Sequence, residues 1–184
     1  MSFKNFHDFT DSLKVQSYTI ESVTSLWEQF NRGAYDFVYG ADAWNSFKFL
    51  EEDNSLNPLI EGVDNSKGGI YIFYINPNIV PDIHVGIMYI GRARKTDNQN
   101  LKKRIKEYFT QFVQNDDGSK QLRKVSEVFR HWSKYLYVKY ISLEDNAIVE
   151  LLEKDLIMAV RPPYNSDIPR ITLQPPEDWQ GEIS

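Results

Sequence analysis

The chain has 184 residues, of which 41% are hydrophobic, 14% aromatic and 26% charged; this is the composition of one soluble globular domain and excludes a disordered or fibrous chain. It contains no cysteine, so disulfide frameworks, thiolate zinc sites, iron-sulfur clusters and cysteine nucleophiles are excluded together, and a cytoplasmic location is expected. The formal charge of -5 is unevenly spread: from Arg92 to Lys139 thirteen Lys or Arg face five Asp or Glu, a local net of +8 that leaves -13 for the rest.

The N-terminus, MSFKNFHDFTDS, lacks the basic and apolar regions of a secretory signal, and no apolar run reaches the roughly 18 residues that span a bilayer. Neither secretion nor a membrane partner is expected. Residues 1 to 66 form a polar, aromatic-rich extension, in which Val23, Leu26, Trp27 and Phe30 recur at helical spacing, with Thr19 or Ser22 as the cap and Gly33 as the stop. GGIYIFYIN (68–76) and VGIMYIGRA (85–93) are β-branched and aromatic runs either side of a loop with Pro77 and Pro81, and predict a hairpin. NLKKRIKEYFTQFVQ (100–114) carries Leu101, Ile105, Tyr108, Phe109 and Phe112 on a helical period, and 120–134 continues helically through Leu122, Val125, Phe129 and Trp132. LYVKYISLE (136–144) predicts a third strand. DNAIVELLEKDLIMAV (145–160) predicts a final helix, capped by Asp145 or Asn146 and stopped by Pro162 and Pro163. The expected fold is α/β, a small three-stranded sheet flanked by helices in β-β-α-α-β-α order over 67–166, with the helix-containing extension before it and a tail over 167–184.

Several sites are absent: there is no GxxxxGK[ST] phosphate loop, no HExxH, no GxSxG and no Glu-x-Lys nuclease step. His7, His84 and His131 have no partner at ligand spacing and read as ordinary surface or packing residues. In the last helix, Glu150 and Lys154 read as a solvent-facing pair one turn apart. Glu153 interrupts an apolar stripe of Val149, Ile157 and Val160. A carboxylate there needs a partner, and is either a metal ligand or half of a hydrogen-bonded pair facing a cleft. Arg104 and Tyr108 stand one turn apart and share a helix face. Asn165 follows a proline turn and could orient its neighbours.

The series GIY (69–71), YIG (89–91), LKKRIKEYF (101–109) and ELLEKDLIMAVRPPYN (150–165) resembles the GIY-YIG nuclease superfamily in its strand-strand-helix-strand-helix order. The resemblance covers roughly residues 67–166. It implies a metal-dependent endonuclease that hydrolyses DNA. By position it makes Tyr71 and Tyr89 the strand tyrosines at the phosphate, Arg104 the essential arginine and Tyr108 its companion. It makes Glu153 the ligand of Mg²⁺ or Mn²⁺, with no small-molecule cofactor, and Asn165 the residue closing the site. Tyr71 is the candidate general base, which requires its phenol pKa to fall from about 10. Arg92, Arg94, Lys102 and Lys103, from the basic block, are the expected nucleic-acid contacts. Two features depart from the family pattern: a longer insertion between the GIY and YIG strands, and Arg92 where many relatives have lysine.

With nineteen residues after Asn165, a stand-alone restriction- or phage-type enzyme is expected, whose N-terminal extension helps folding, DNA binding or formation of a homodimer. The alternatives are a non-catalytic nucleic-acid-binding module of the same fold and an interaction protein whose basic face meets an acidic partner.

Overall fold

The computed structural model describes residues 24–30, 32–38, 42–80, 86–114, 128–129 and 131–166. His7, His84, Thr19, Ser22, Val23 and the tail 167–184 lie outside these residues, as does most of the helix expected over 120–134.

An eight-residue run in which every position is buried can only be a central strand, because both faces must be covered and both edges paired. That run is β2 (Gly68–Ile75). It pairs antiparallel with β3 (Gly86–Ala93) on one side and with β4 (Leu136–Leu143) on the other. The sheet does not stop there. A four-residue strand, β1 (Asn45–Lys48), pairs antiparallel with β4 and makes the order β1-β4-β2-β3. The three strands expected from sequence are therefore corrected to four, and the additional one comes from the segment before residue 67. NSFK offers one apolar side chain to the core, Phe47, and is too short and polar for alternation to reveal it.

Side-chain alternation along β2 divides the interior into two layers. Tyr71, Phe73 and Ile75 face the first helix after the hairpin, Leu101–Gln114, where Leu101, Ile105 and Tyr108 meet them together with Phe49 and Phe129. Ile70 and Ile72 face the opposite way, onto Val149, Leu152 and Ile157 of the final helix, Asn146–Val160. With the short helix Thr24–Gln29 as α1, these two are α2 and α3, and the sheet lies between them.

The helix ends follow from their flanking residues. Asn100 Oδ1 accepts from the Lys103 amide at 2.8 Å, closing the first turn of α2. Asp145 caps α3 by accepting from the Ala147 amide at 2.7 Å. At the other end Arg161 turns left-handed at φ 51°, ahead of Pro162 and Pro163. Asn146, the other cap candidate, does something else. Its amide accepts from Lys95 N at 2.8 Å and donates to Lys95 O at 2.9 Å, tying the exit of β3 to the start of α3.

The N-terminal segment packs on the outside of α3. Leu26 is buried, while Trp27 keeps its ring half exposed and donates its indole N–H to Ala159 O at 2.7 Å. Tyr35, in a 3-10 stretch over Arg32–Val38, donates its hydroxyl to Asp155 Oδ2 at 2.7 Å. No helix among the described residues is long and apolar enough to cross a membrane.

Candidate active site

Because β3 is an edge strand, its outer backbone groups need partners that β2 does not supply. The chain after α3 supplies them. Tyr164 N donates to Met88 O at 3.1 Å, and Asn165 then pairs with Ile90 in both directions, accepting from its N–H at 3.0 Å and donating to its carbonyl at 2.8 Å. Asn165 thus acts as a one-residue strand and holds the middle of the YIG segment in place.

A cleft of about 960 Å³ wraps around this edge. Tyr71 and Tyr89 line it from the α2 face of the sheet and Arg92 from the α3 face. Arg104, Glu153 and Asn165 complete the wall. Five of the six residues expected to carry catalysis therefore meet in one cavity, although they come from β2, β3, α2, α3 and the turn after α3.

Tyr108, the sixth, stands directly behind. Its hydroxyl is 2.8 Å from that of Tyr71 and donates to that of Tyr89 at 3.4 Å. The three hydroxyls form a chain from buried Tyr71 through Tyr108 to cleft-facing Tyr89. Tyr71 is 1% exposed. Burial pushes its pKa well up, the neighbouring Tyr108 and Tyr89 add to the rise, and Arg104 opposes it. Among the protein's own groups, desolvation of the enclosed ring outweighs the Arg104 guanidinium, so Arg104 alone does not supply the fall in pKa that a general base requires. Tyr89 is shifted upward for the same leading reason.

Gly91, the glycine of YIG, lies opposite Tyr71 across the β2–β3 pair. The Tyr71 ring lies over it so closely that a β-carbon would come within 2.5 Å of Cζ. Only glycine leaves the room.

Arg104 is aimed by two neighbours. Its guanidinium carbon sits 5.3 Å from the centre of the Tyr108 ring, and Nη1 donates to Glu107 Oε2 at 2.9 Å. Gln99 holds the other carboxylate oxygen of Glu107 at 2.9 Å. Burial raises the Glu107 pKa, but the bonds from Gln99 and Arg104 outweigh it and keep the carboxyl below its usual value. Sequence reading missed Glu107 and Gln99. The spacing of Glu107 three residues after Arg104 was the available signal.

Glu153 is half of a hydrogen-bonded pair facing the cleft: Arg92 Nη1 donates to its Oε2. Burial raises its pKa, and the Arg92 charge and hydrogen bond oppose the rise. Glu150 also lines the cleft, ion-paired with Arg94 and 3.9 Å from Arg92 Nη2. Its expected solvent-facing pairing with Lys154 is corrected, since the two arginines of β3 offer it nearer charges. Arg94 is therefore in the cleft as expected. Lys102 and Lys103, expected to touch nucleic acid, are not among its lining residues. Lys102 turns to Glu61, donating to its carbonyl at 2.8 Å and pairing with its carboxylate at 2.9 Å, and Lys103 donates to Asn98 O. His131 is exposed.

Among the described residues no three His, Asp or Glu side chains converge as a metal cage. A hard cation held by one carboxylate with water completing its shell is nevertheless a donor set that Mg²⁺ accepts, and Glu153 fits that role.

No protein-family model and no curated protein matches this chain. Among solved structures, it is similar to the GIY-YIG N-terminal endonuclease domain of UvrC from Thermotoga maritima, in a tyrosine-to-phenylalanine point mutant bound to its catalytic divalent cation. The likeness is at 20% identity over 61% of this chain and 100% of that one, with a TM-score of 0.39.

Proposed function

We propose that the chain is a GIY-YIG-type endonuclease that hydrolyses phosphodiester bonds in DNA, with Mg²⁺ or Mn²⁺ held at Glu153. The observation that carries this reading is the convergence of Tyr71, Tyr89, Arg104, Glu153 and Asn165 on one cleft from five separate parts of the chain. A bound divalent cation supplies Lewis-acid stabilisation of charge on the phosphate and on the leaving oxygen.

The remaining work falls to the protein. Arg104, fixed by Glu107 and the Tyr108 ring, presents a guanidinium to the scissile phosphate, where it stabilises negative charge as the pentavalent transition state forms. Arg92 and Arg94 bind flanking phosphate oxygens. Tyr71 is the base that takes a proton from the attacking water. At neutral pH the phenol is its resting form, so it must first give up its proton, and the hydroxyls of Tyr108 and Tyr89 are the neighbours through which that proton can leave. Arg104 is the charge nearest to the phenolate that remains. Asn165 keeps Tyr89 and Gly91 in register by holding Ile90 between them.

The test is cleavage of supercoiled plasmid by purified protein, with and without Mg²⁺, beside Glu153→Gln. Nicking or linearisation that requires both the cation and Glu153 supports the reading. Binding of plasmid without cutting under any cation would replace it with the non-catalytic binding module.

A further inference from the structure

Two carboxylates of α3 and two guanidiniums of β3 meet on one wall of the cleft. Arg92 grips Glu153 through Nη1 and reaches towards Glu150 through Nη2, while Arg94, two residues on and on the same side of the strand, pairs with Glu150. The four charges cancel. They are not equally accessible: the Glu153 side chain is 15% exposed, against 38% for Arg92 and 54% for Arg94. The carboxylate is thus shut in by a partner that itself still reaches the solvent of the cleft.

We propose that Arg92 is a keeper of Glu153 that nucleic acid releases: in the free protein it occupies and neutralises the carboxylate, and a substrate phosphate draws it away and exposes Glu153 to the cation. This rests on the reading of the cleft as a phosphodiester site with Glu153 as the cation ligand. The physical basis is a choice of partners. A guanidinium fork binds carboxylate and phosphate with the same two-pronged geometry, so a phosphate entering the cleft competes directly for Arg92. Because Arg92 is already partly solvated, the exchange needs little new desolvation. While Arg92 stays on Glu153, an incoming cation meets a pair whose charge is already cancelled. Nucleic acid and cation consequently bind cooperatively, and linkage requires the effect to be mutual. Arg92 acts through Glu153, so it is a positioning residue whose signature lies in binding.

The test is a double-mutant cycle on the full chain, read by affinity and not by turnover. Binding of a short fluorescent DNA duplex is measured in EDTA for the wild type, Arg92→Gln, Glu153→Gln and the double variant. Glu153→Gln frees Arg92 for phosphate, so it should tighten duplex binding by about tenfold in the wild-type background and by much less in Arg92→Gln. An equal gain in both backgrounds would mean mere removal of a negative charge and would overturn the proposal, as would no gain at all. In parallel, calorimetric titration of Mn²⁺ without DNA should show Arg92→Gln binding about tenfold more tightly than the wild type, the gain vanishing in the double variant. Unchanged Mn²⁺ affinity in Arg92→Gln would also overturn it. Arg92→Met, which removes the charge while keeping an apolar stem of similar length, carries the same comparison if the glutamine variant does not fold. The wild type's own behaviour separates the two levels: if it cuts plasmid while the cycle shows no coupling, only the keeper role fails; if it neither binds duplex nor cuts, the reading of the cleft fails.

Discussion

Adding one methyl group at Gly91 tests the packing that sets the tyrosine array. In Gly91→Ala the new β-carbon would stand 2.5 Å from Tyr71 Cζ and 2.8 Å from Cε2, and closer still to the hydroxyl oxygen. The ring cannot swing clear. It is 1% exposed and bounded by Phe73 and Tyr108 at centroid distances of 5.8 and 5.6 Å. Forcing a methyl into such a core costs about 1–3 kcal/mol. Displacing Tyr71 also breaks its bond to Tyr108, for about 1 kcal/mol more. Gly91 does not have a left-handed φ, so alanine suits the backbone and recovers roughly 0.5–1 kcal/mol through the unfolded state. The net expected loss is about 1–3 kcal/mol, or a fall of several degrees in Tm, with cleavage lost as Tyr71 moves. Urea denaturation measures it. Gly62→Ala, where a β-carbon would meet no atom within 4 Å, is the control and should stay within about 0.5 kcal/mol of the wild type. Tyr71→Phe on the Gly91→Ala background removes the closest contact but leaves Cζ and Cε2, so it should restore only part of the loss. Gly91→Ala with wild-type stability and activity would refute the argument that this ring excludes every residue but glycine.

Tyr71→Phe alone keeps the ring and should lower the cleavage rate by roughly 10² to 10⁴ if the Tyr71 phenolate takes the proton, with Tm little changed; a wild-type rate would remove that role. Arg104→Ala should slow cleavage whichever group is the base, and Glu107→Gln, which loosens its aim, should slow it less, as single-turnover rates will show. Asn165→Ala strips both partners from Ile90 and should cost about 1–3 kcal/mol by denaturation, with loss of activity. Tyr35 is held at about 12, above its ordinary 10.0, by burial and by its bond and proximity to Asp155. A raised acid pKa leaves stability intact below pH 10 and drains it as pH climbs towards 12, because the unfolded chain ionises first. Tyr35→Phe should therefore be slightly less stable at pH 8, and its stability should fall less between pH 10 and 12, measured by urea midpoints.

The elements with strong local signals were legible in the residues. The buried run of β2, the period of α2, and α3 with its cap and double proline all appear where patterning places them, because each is determined within its own segment. Glu153 was legible as a carboxylate in need of a partner. That the partner is Arg92, 61 positions earlier, depends on how α3 seats against β3, and no local pattern encodes that. The same holds for Glu150, whose neighbour in sequence, Lys154, loses to Arg94 across the cleft. The upward shift of Tyr71 reflects enclosure by rings from β2, β3 and α2 at once, a property of the assembled layer. Lys102 belongs to the basic block in the sequence, yet Glu61, from the earlier 3-10 helix Pro58–Gly62, captures it.

The pairing of Asn165 with Ile90 has a consequence for the protein in solution. An eight-residue strand of mostly apolar side chains with an open outer edge is a template on which another copy's strand can add. Here Tyr164 and Asn165 occupy the bonding positions at Met88 and Ile90, and the opposite border of the sheet is the short β1, which ends in a lysine. Both borders are thereby poor seeds for aggregation. A chain that lost the Asn165 pairing would lose part of its solubility along with its site, and light scattering on the Asn165→Ala protein would detect the one independently of the other.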